Sequence, residues 1–339
     1  MLLLLHIAAH AADADQLLAD AIRDGDTAGI TKAIQQGARA NSDGANTKPG
    51  LPPLIYAILT NRTDTVVALL KAGADPNLVQ RNHHPIFDAA NANTQILRLM
   101  LEAGANPNIQ TALGYTPLHR AAGCRPQAYA SLAKQGGYSG EPPDCEQSVR
   151  LLITAKADIH AKDRGGKTPL MIAVFWNSVT AAKLLLEAGA AVETKDPEGH
   201  TPLILALNNY ATEQYQLRNK QPYSNGVSLP TIELLLQYHA NPNVRQEGNF
   251  DDYHDATRTP YSTGYTPLTL AARHGWLPVS KLLLKHNTDT AMPRSDGLSP
   301  VQLAQKHGHK EIVNLIQSYQ NTKPANQSFQ GDAPKAARP

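Results

Sequence analysis

Apolar residues in this chain come in short bursts with helical spacing, separated by small, polar and turn-forming residues. Near the start, Leu17, Leu18, Ala21 and Ile22 share one face, and Ile30, Ala33 and Ile34 form the next. Positions three and four apart lie on one side of an α-helix, so each burst predicts a short amphipathic helix. The bursts come in pairs. The second of a pair ends in small-Gly-small followed by Asp or Asn, as in Leu69-Leu70-Lys71-Ala72-Gly73-Ala74-Asp75-Pro76-Asn77, Leu101-Glu102-Ala103-Gly104-Ala105-Asn106-Pro107-Asn108 and Leu184-Leu185-Leu186-Glu187-Ala188-Gly189-Ala190. A glycine there ends the helix in a left-handed cap.

The first burst of each pair opens on a proline. Gly114-Tyr115-Thr116-Pro117-Leu118-His119 is the fullest copy, and Pro53, Pro85, Pro169, Pro202, Pro267 and Pro300 hold the place of Pro117. Proline suits the first helical position because it has no N–H to leave unpaired, and Thr116 before it can cap the remaining donors. Gly114 supplies the turn that delivers the chain to the cap. Successive prolines lie 32, 32, 52, 33, 65 and 33 residues apart. The period is therefore near 33, with two expansions. Helix, short turn, helix and an extended finger make up one unit.

This pattern resembles the ankyrin repeat family, whose units run Gly-x-Thr-Pro-Leu-His and then two helices. The resemblance covers about Asp15 to Gln320 and implies an all-α solenoid of about eight helix-turn-helix units with finger turns and three long insertions. It also implies a non-enzymatic scaffold that binds a protein partner. Departures from the pattern are specific. Lys156, His239 and Asn287 replace the helix-ending glycine, and only His119 keeps the histidine, with Ile55, Phe87, Met171, Ile204, Thr269 and Gln302 at its equivalents. The family's histidine implies a structural bond to the Thr of its own cap.

The insertions are expected at about 125–146, 210–229 and 245–262. The first is bracketed by Cys124 and Cys145, the two cysteines of the chain. They are expected to pair as a disulfide, with two unrelated free thiols as the other reading. Seven of the twelve tyrosines fall in the insertions. Tyrosine-rich loops are typical of binding surfaces, because the ring gives much contact area for little lost entropy. Tyr129, Tyr138, Tyr215, Tyr223, Phe250, Tyr253 and Tyr261 are thus candidate partner-binding residues, against the plainer reading that these rings pack the loops onto the array. Trp176, after Phe175, and Trp276, after Gly275, stand where the family has polar residues. Both are expected to be exposed and to join the binding set, against the plainer reading that Phe175 and Trp176 cover the base of the neighbouring insertions.

Composition narrows the rest. A net charge of +2 with no basic stripe argues against nucleic acid. No run is long and apolar enough to span a membrane. Residues 1–14 carry Leu2-Leu3-Leu4-Leu5-His6-Ile7-Ala8-Ala9-His10-Ala11, an apolar run closing on Ala-x-Ala that reads as the end of a secretory signal, although no Lys or Arg precedes it. A first helix packed on the array is the other reading. The signal implies the bacterial periplasm, where an inhibitor or immunity protein is one expected role. A secreted effector acting on host proteins is the alternative location and role, and a cytoplasmic scaffold is the third. Residues 321–339 are polar and proline-rich and are expected to form a disordered tail.

Chemistry is sparse. There is no phosphate-cradling glycine loop, no His-Glu-x-x-His and no Gly-x-Ser-x-Gly, so no cofactor, metal or catalytic residue is expected. An enzyme built on Cys124, Cys145 or His119 is the remaining alternative. His83 with His84, and His254 among Asp251, Asp252 and Asp255, read as ordinary loop residues. A monomer is expected.

Overall fold

The computed structural model describes residues 2–44, 50–80, 82–90, 93–124, 144–219, 228–246 and 264–322, with backbone alone for 2–12. The chain divides into two compact units, Met1–Tyr238 and His239–Pro339. Among the described residues there are helices and turns but no strand, and no helix is long and apolar enough to cross a membrane.

The first unit holds six helix pairs. They are α1 (Leu2–Asp24) with α2 (Thr27–Gln35), α3 (Pro53–Leu59) with α4 (Thr63–Lys71), α5 (Pro85–Ala89) with α6 (Thr94–Glu102), α7 (Pro117–Ala122) with α8 (Cys145–Thr154), α9 (Pro169–Phe175) with α10 (Val179–Glu187), and α11 (Pro202–Arg218) with α12 (Leu229–Gln237). The second unit holds α13 (Pro267–His274) with α14 (Leu277–Lys285) and α15 (Pro300–Lys306) with α16 (Lys310–Thr322). This is the expected ankyrin solenoid of stacked helix-turn-helix units. Each opening proline begins its helix. Where Thr or Ser precedes it, at Thr116, Thr168, Thr201, Thr266 and Ser299, the hydroxyl accepts the N–H three residues on.

Each pair is too short to bury a core alone, so the apolar faces close against the neighbouring pairs. Ile55, Ile58, Leu69, Ile86, Ile96, Leu97, Met100 and Leu118 are fully buried in this way. At the ends of the second helices, Gly73, Gly104 and Gly189 adopt left-handed φ angles of 85°, 85° and 94°. Lys156, His239 and Asn287 hold the same region at 63°, 65° and 58° despite their side chains.

Fingers are joined by a ladder of asparagines. Asn77 Nδ2 donates to the Gly104 carbonyl at 3.0 Å, and its Oδ1 accepts the Asn106 N–H at 2.7 Å. Asn41 does the same toward Gly73 and Asp75, and Asn108 toward Lys156 and Asp158. One side chain thus satisfies a carbonyl and an amide that the left-handed turn leaves unpaired. In the second unit Asn243 accepts the Asp289 N–H at 2.8 Å.

One expectation is corrected. Trp276 is 4% exposed, not a surface residue. Gly275, at φ 74°, reverses the chain, and the indole stacks on His274 at 5.0 Å. In the expanded sixth unit, α11 runs on without a break to Arg218, so the stretch from Tyr210 to Arg218 is helical. No glycine or proline interrupts 203–218, and residues 209, 210 and 213 of this extension find buried positions.

Candidate interaction site

The expanded units place several candidate residues at the edge where the first helix of each pair turns into the second. At unit four, Cys124 follows α7 and Cys145 begins α8. Their sulfurs are bonded across a Cα–Cα distance of 5.7 Å, and both residues are buried. Beside them, Trp176 ends α9. Its indole lies close to Gly123, where an added Cβ would stand 3.1 Å from Cδ1, 3.3 Å from Nε1 and 3.0 Å from Ile172 Cγ2, so a side chain there would have to displace its neighbours. Phe175 meets Trp176 edge-on at 4.9 Å and is 39% exposed. Trp176 itself is half-buried.

The extension of α11 fixes this edge with polar contacts. Asn209 Nδ2 donates to the carbonyls of Val174 at 2.9 Å and Phe175 at 3.1 Å, satisfying the C-terminal end of α9. One turn later, a Glu213 oxygen accepts the Ser228 N–H at 3.0 Å. Ser228 is the residue before α12 and makes no side-chain cap of its own. A carboxylate at a helix N-terminus both accepts an orphan donor and offsets the positive end of the dipole. Asn177, left-handed at φ 51°, donates to Ser228 Oγ at 3.2 Å and accepts from Thr231 Oγ1 at 3.4 Å. Tyr210, buried between these groups, has its pKa raised by burial and then by the Glu213 charge. Glu213→Ala is expected to cost about 1–2 kcal/mol, and Glu213→Gln, which keeps an acceptor, less than half of that. Urea denaturation of the three proteins measures both.

Of the sequence candidates, Trp176 stands at this edge with Tyr215, half-buried on α11, while Leu217 beyond it is largely exposed. Tyr129, Tyr138, Tyr223, Phe250, Tyr253 and Tyr261 lie outside the described residues, as do His254 and its neighbouring aspartates. Trp276 belongs to the second unit and is buried. Asn209 and Glu213 were not singled out by the sequence reading. Their i, i+4 spacing on a run without a helix breaker is the signal that points to them.

The opposite, finger edge carries His119, which is fully buried. The Thr116 N–H donates to its Nδ1 at 3.2 Å, so the other nitrogen bears the proton and donates to the Lys167 carbonyl at 2.9 Å. Burial holds its pKa below the ordinary 6.5. This is a structural imidazole in its own cap and the next finger. Asp196, Glu198 and His200 form a three-group cluster within 4.8 Å. Asp196 already accepts the His200 N–H at 2.8 Å and faces His200 Nδ1 at 3.3 Å, which are the bonds of an ordinary finger turn.

Comparison with known proteins agrees with this architecture. A family model described as ankyrin repeats (3 copies) matches residues 2–111, 54–138, 143–217 and 223–327. Protein PhlB of Serratia liquefaciens is 34% identical over 167 residues, covering 48% of this chain and 63% of PhlB. Inversin of Gallus gallus is 38% identical over 72 residues, covering 21% of this chain and 6% of inversin. The aligned chain thus spans less than two thirds of either relative. Among solved structures, the ankyrin repeat domain of Bcl-3, a member of the IkappaB protein family, superposes with a TM-score of 0.56 at 22% identity, covering 78% of this chain and 97% of that one.

Proposed function

The chain belongs to the ankyrin-repeat family, and on that premise we propose that it binds a protein partner in the bacterial periplasm and masks that partner's surface, as an inhibitor or immunity protein does. An ankyrin array is a non-enzymatic protein-interaction module, and this chain is one. Rigid units reduce the entropy lost on association, which is the physical advantage of such a scaffold. The observation that carries the finer reading is the turn edge of units four to six. There Phe175, Trp176 and Tyr215 sit on helices held in place by the Asn209 and Glu213 contacts and the Cys124–Cys145 bond. Aromatic side chains on a prebuilt surface are the usual anchors of protein interfaces. Supporting the location are the apolar Leu2–Ala11 run and a disulfide, a bond that persists in oxidising compartments.

The test is a pull-down from the envelope fraction of the source cell with the wild-type chain and a Phe175→Ser, Tyr215→Ser variant as baits. A partner captured by the first and reduced about thirtyfold or more with the second supports this edge as the anchor, as loss of about 2 kcal/mol at an aromatic hot spot requires. Equal capture by both overturns the assignment of the edge. Failure of the wild-type chain to capture any envelope protein overturns the periplasmic reading.

A further inference from the structure

Fingers can be compared position by position by counting back from the proline that opens each first helix. The fingers of units four and five, ahead of Pro117 and Pro169, are latched by three polar ties. Nine residues before Pro117, Asn108 donates to the Lys156 carbonyl and accepts the Asp158 N–H. The Arg164 N–H, five before Pro169, donates to the Leu113 carbonyl at 2.9 Å. His119, two after Pro117, reaches the Lys167 carbonyl.

At the seam between units five and six, all three positions are changed. His160 replaces the asparagine, and its exposed imidazole makes neither ladder bond among the described residues. That His160 is the equivalent of Asn108 is shown by the bond they share: each backbone N–H donates to the side chain two residues before it, Asp158 and Asn106. Pro197 replaces Arg164 and has no N–H to donate. Met171 replaces His119 and has no ring nitrogen. Among the described residues, Lys162 Nζ donates to the Lys195 carbonyl across this finger edge at 3.4 Å, between exposed groups. Such contacts to a mobile lysine contribute little in water. Otherwise Pro197 rests against Gly166, where an added Cβ would stand 2.5 Å from its Cδ.

The same seam is strongly held at its other edge. Asn209 binds the carbonyls of Val174 and Phe175, and Asn177 binds Ser228 and Thr231. The helices also remain packed, α9 on α11 and α10 on α12. We infer that the fingers of units five and six form an unlatched joint, at which the stack opens along its finger edge while pivoting on the polar cluster of its turn edge. A hinge needs a fixed side and a free side, and here the two lie on opposite edges of one interface. The joint is a property of the free chain, so its test needs no partner and is independent of the proposed function.

The test is electron–electron distance measurement between spin labels in the full-length, disulfide-intact protein. Gln110, Lys162 and Lys195 are exposed and occupy the same place in three successive fingers, seven before Pro117, Pro169 and Pro202. One doubly labelled protein carries Gln110→Cys with Lys162→Cys, across the latched seam. The other carries Lys162→Cys with Lys195→Cys, across the unlatched one. The second distance distribution is expected to be at least about twofold broader than the first. Restoring latches by His160→Asn with Pro197→Arg, leaving buried Met171 untouched, is expected to narrow it to the width of the first. Equal widths in the parent proteins overturn the joint. So does a latched variant that folds, by its helical circular dichroism, yet keeps the broad distribution. Should the double change fail to fold, the exposed His160→Asn change alone decides, since it restores two of the missing bonds and must narrow the distribution.

Discussion

Replacing both Cys124 and Cys145 with serine is expected to lower stability by about 3 kcal/mol, the chain-entropy value for a closed loop of this length. The two residues lie 21 apart and bridge the end of α7 to the start of α8. In most units of the array a short turn fixes this corner. Unit four has an insertion there instead, and the unfolded chain without the bond gains the freedom of the whole loop. Thermal denaturation of the oxidised wild type, the reduced wild type and the double serine variant should therefore give one high and two similarly lowered midpoints. Because neighbouring pairs bury each other's faces, α7 to α10 should lose hydrogen-exchange protection together. An enzyme using either sulfur predicts otherwise, namely an activity lost on a single Cys→Ser change with the midpoint preserved. If the reduced protein melts with the oxidised one, the bond is not a staple.

His119→Ala is expected to cost about 3 kcal/mol, the sum of lost hydrogen bonds at a buried imidazole and the cavity it leaves. The ring closes the cap of its own helix through Thr116 and fastens the next finger through Lys167. Its removal therefore also orphans a buried backbone donor. The sign of the pH effect follows from burial. With its folded pKa below 6.5, the histidine takes up a proton more readily in the unfolded chain. Its contribution is complete above about pH 6.5 and is lost as pH falls toward the folded value. Urea denaturation from about pH 7.5 to 5 should show the wild type weakening on the acid side more than the alanine variant, whose slope lacks this group. Parallel profiles would show that the folded and unfolded chains bind protons equally at this imidazole, against a pKa lowered by burial.

Thr269 and Gln302 show how the same cap is kept without a histidine. Each reaches back to the N-cap N–H of its own helix, as His119 does, and among the described residues neither side chain bonds a following finger. Met171 cannot do even the first. The caps are thus interchangeable locally, while His119 also carries a bond from its cap to the next finger.

What could be read from the residues alone was everything that acts within a few positions. A proline sets its own φ, a threonine caps the helix it precedes, and a glycine or asparagine ends the helix it follows, so helix starts, left-handed ends and the repeat period were legible in advance. The left-handed geometry of Lys156, His239 and Asn287 followed from the same local logic, because the repeat imposes the turn and the side chain must tolerate it. Trp276 was misjudged because exposure depends on where a reversed chain lays an indole, and that is decided by His274 and the helix behind it. The role of Glu213 was hidden because its partner, the start of α12, lies 15 residues away beyond the insertion. The missing latches at His160, Met171 and Pro197 look like routine variation until the stack shows that the atoms they lack would all have met the same neighbouring seam. Local conformation is a property of short segments, whereas burial, cross-repeat capping and the opening of a joint belong to surfaces that exist only once the repeats are stacked.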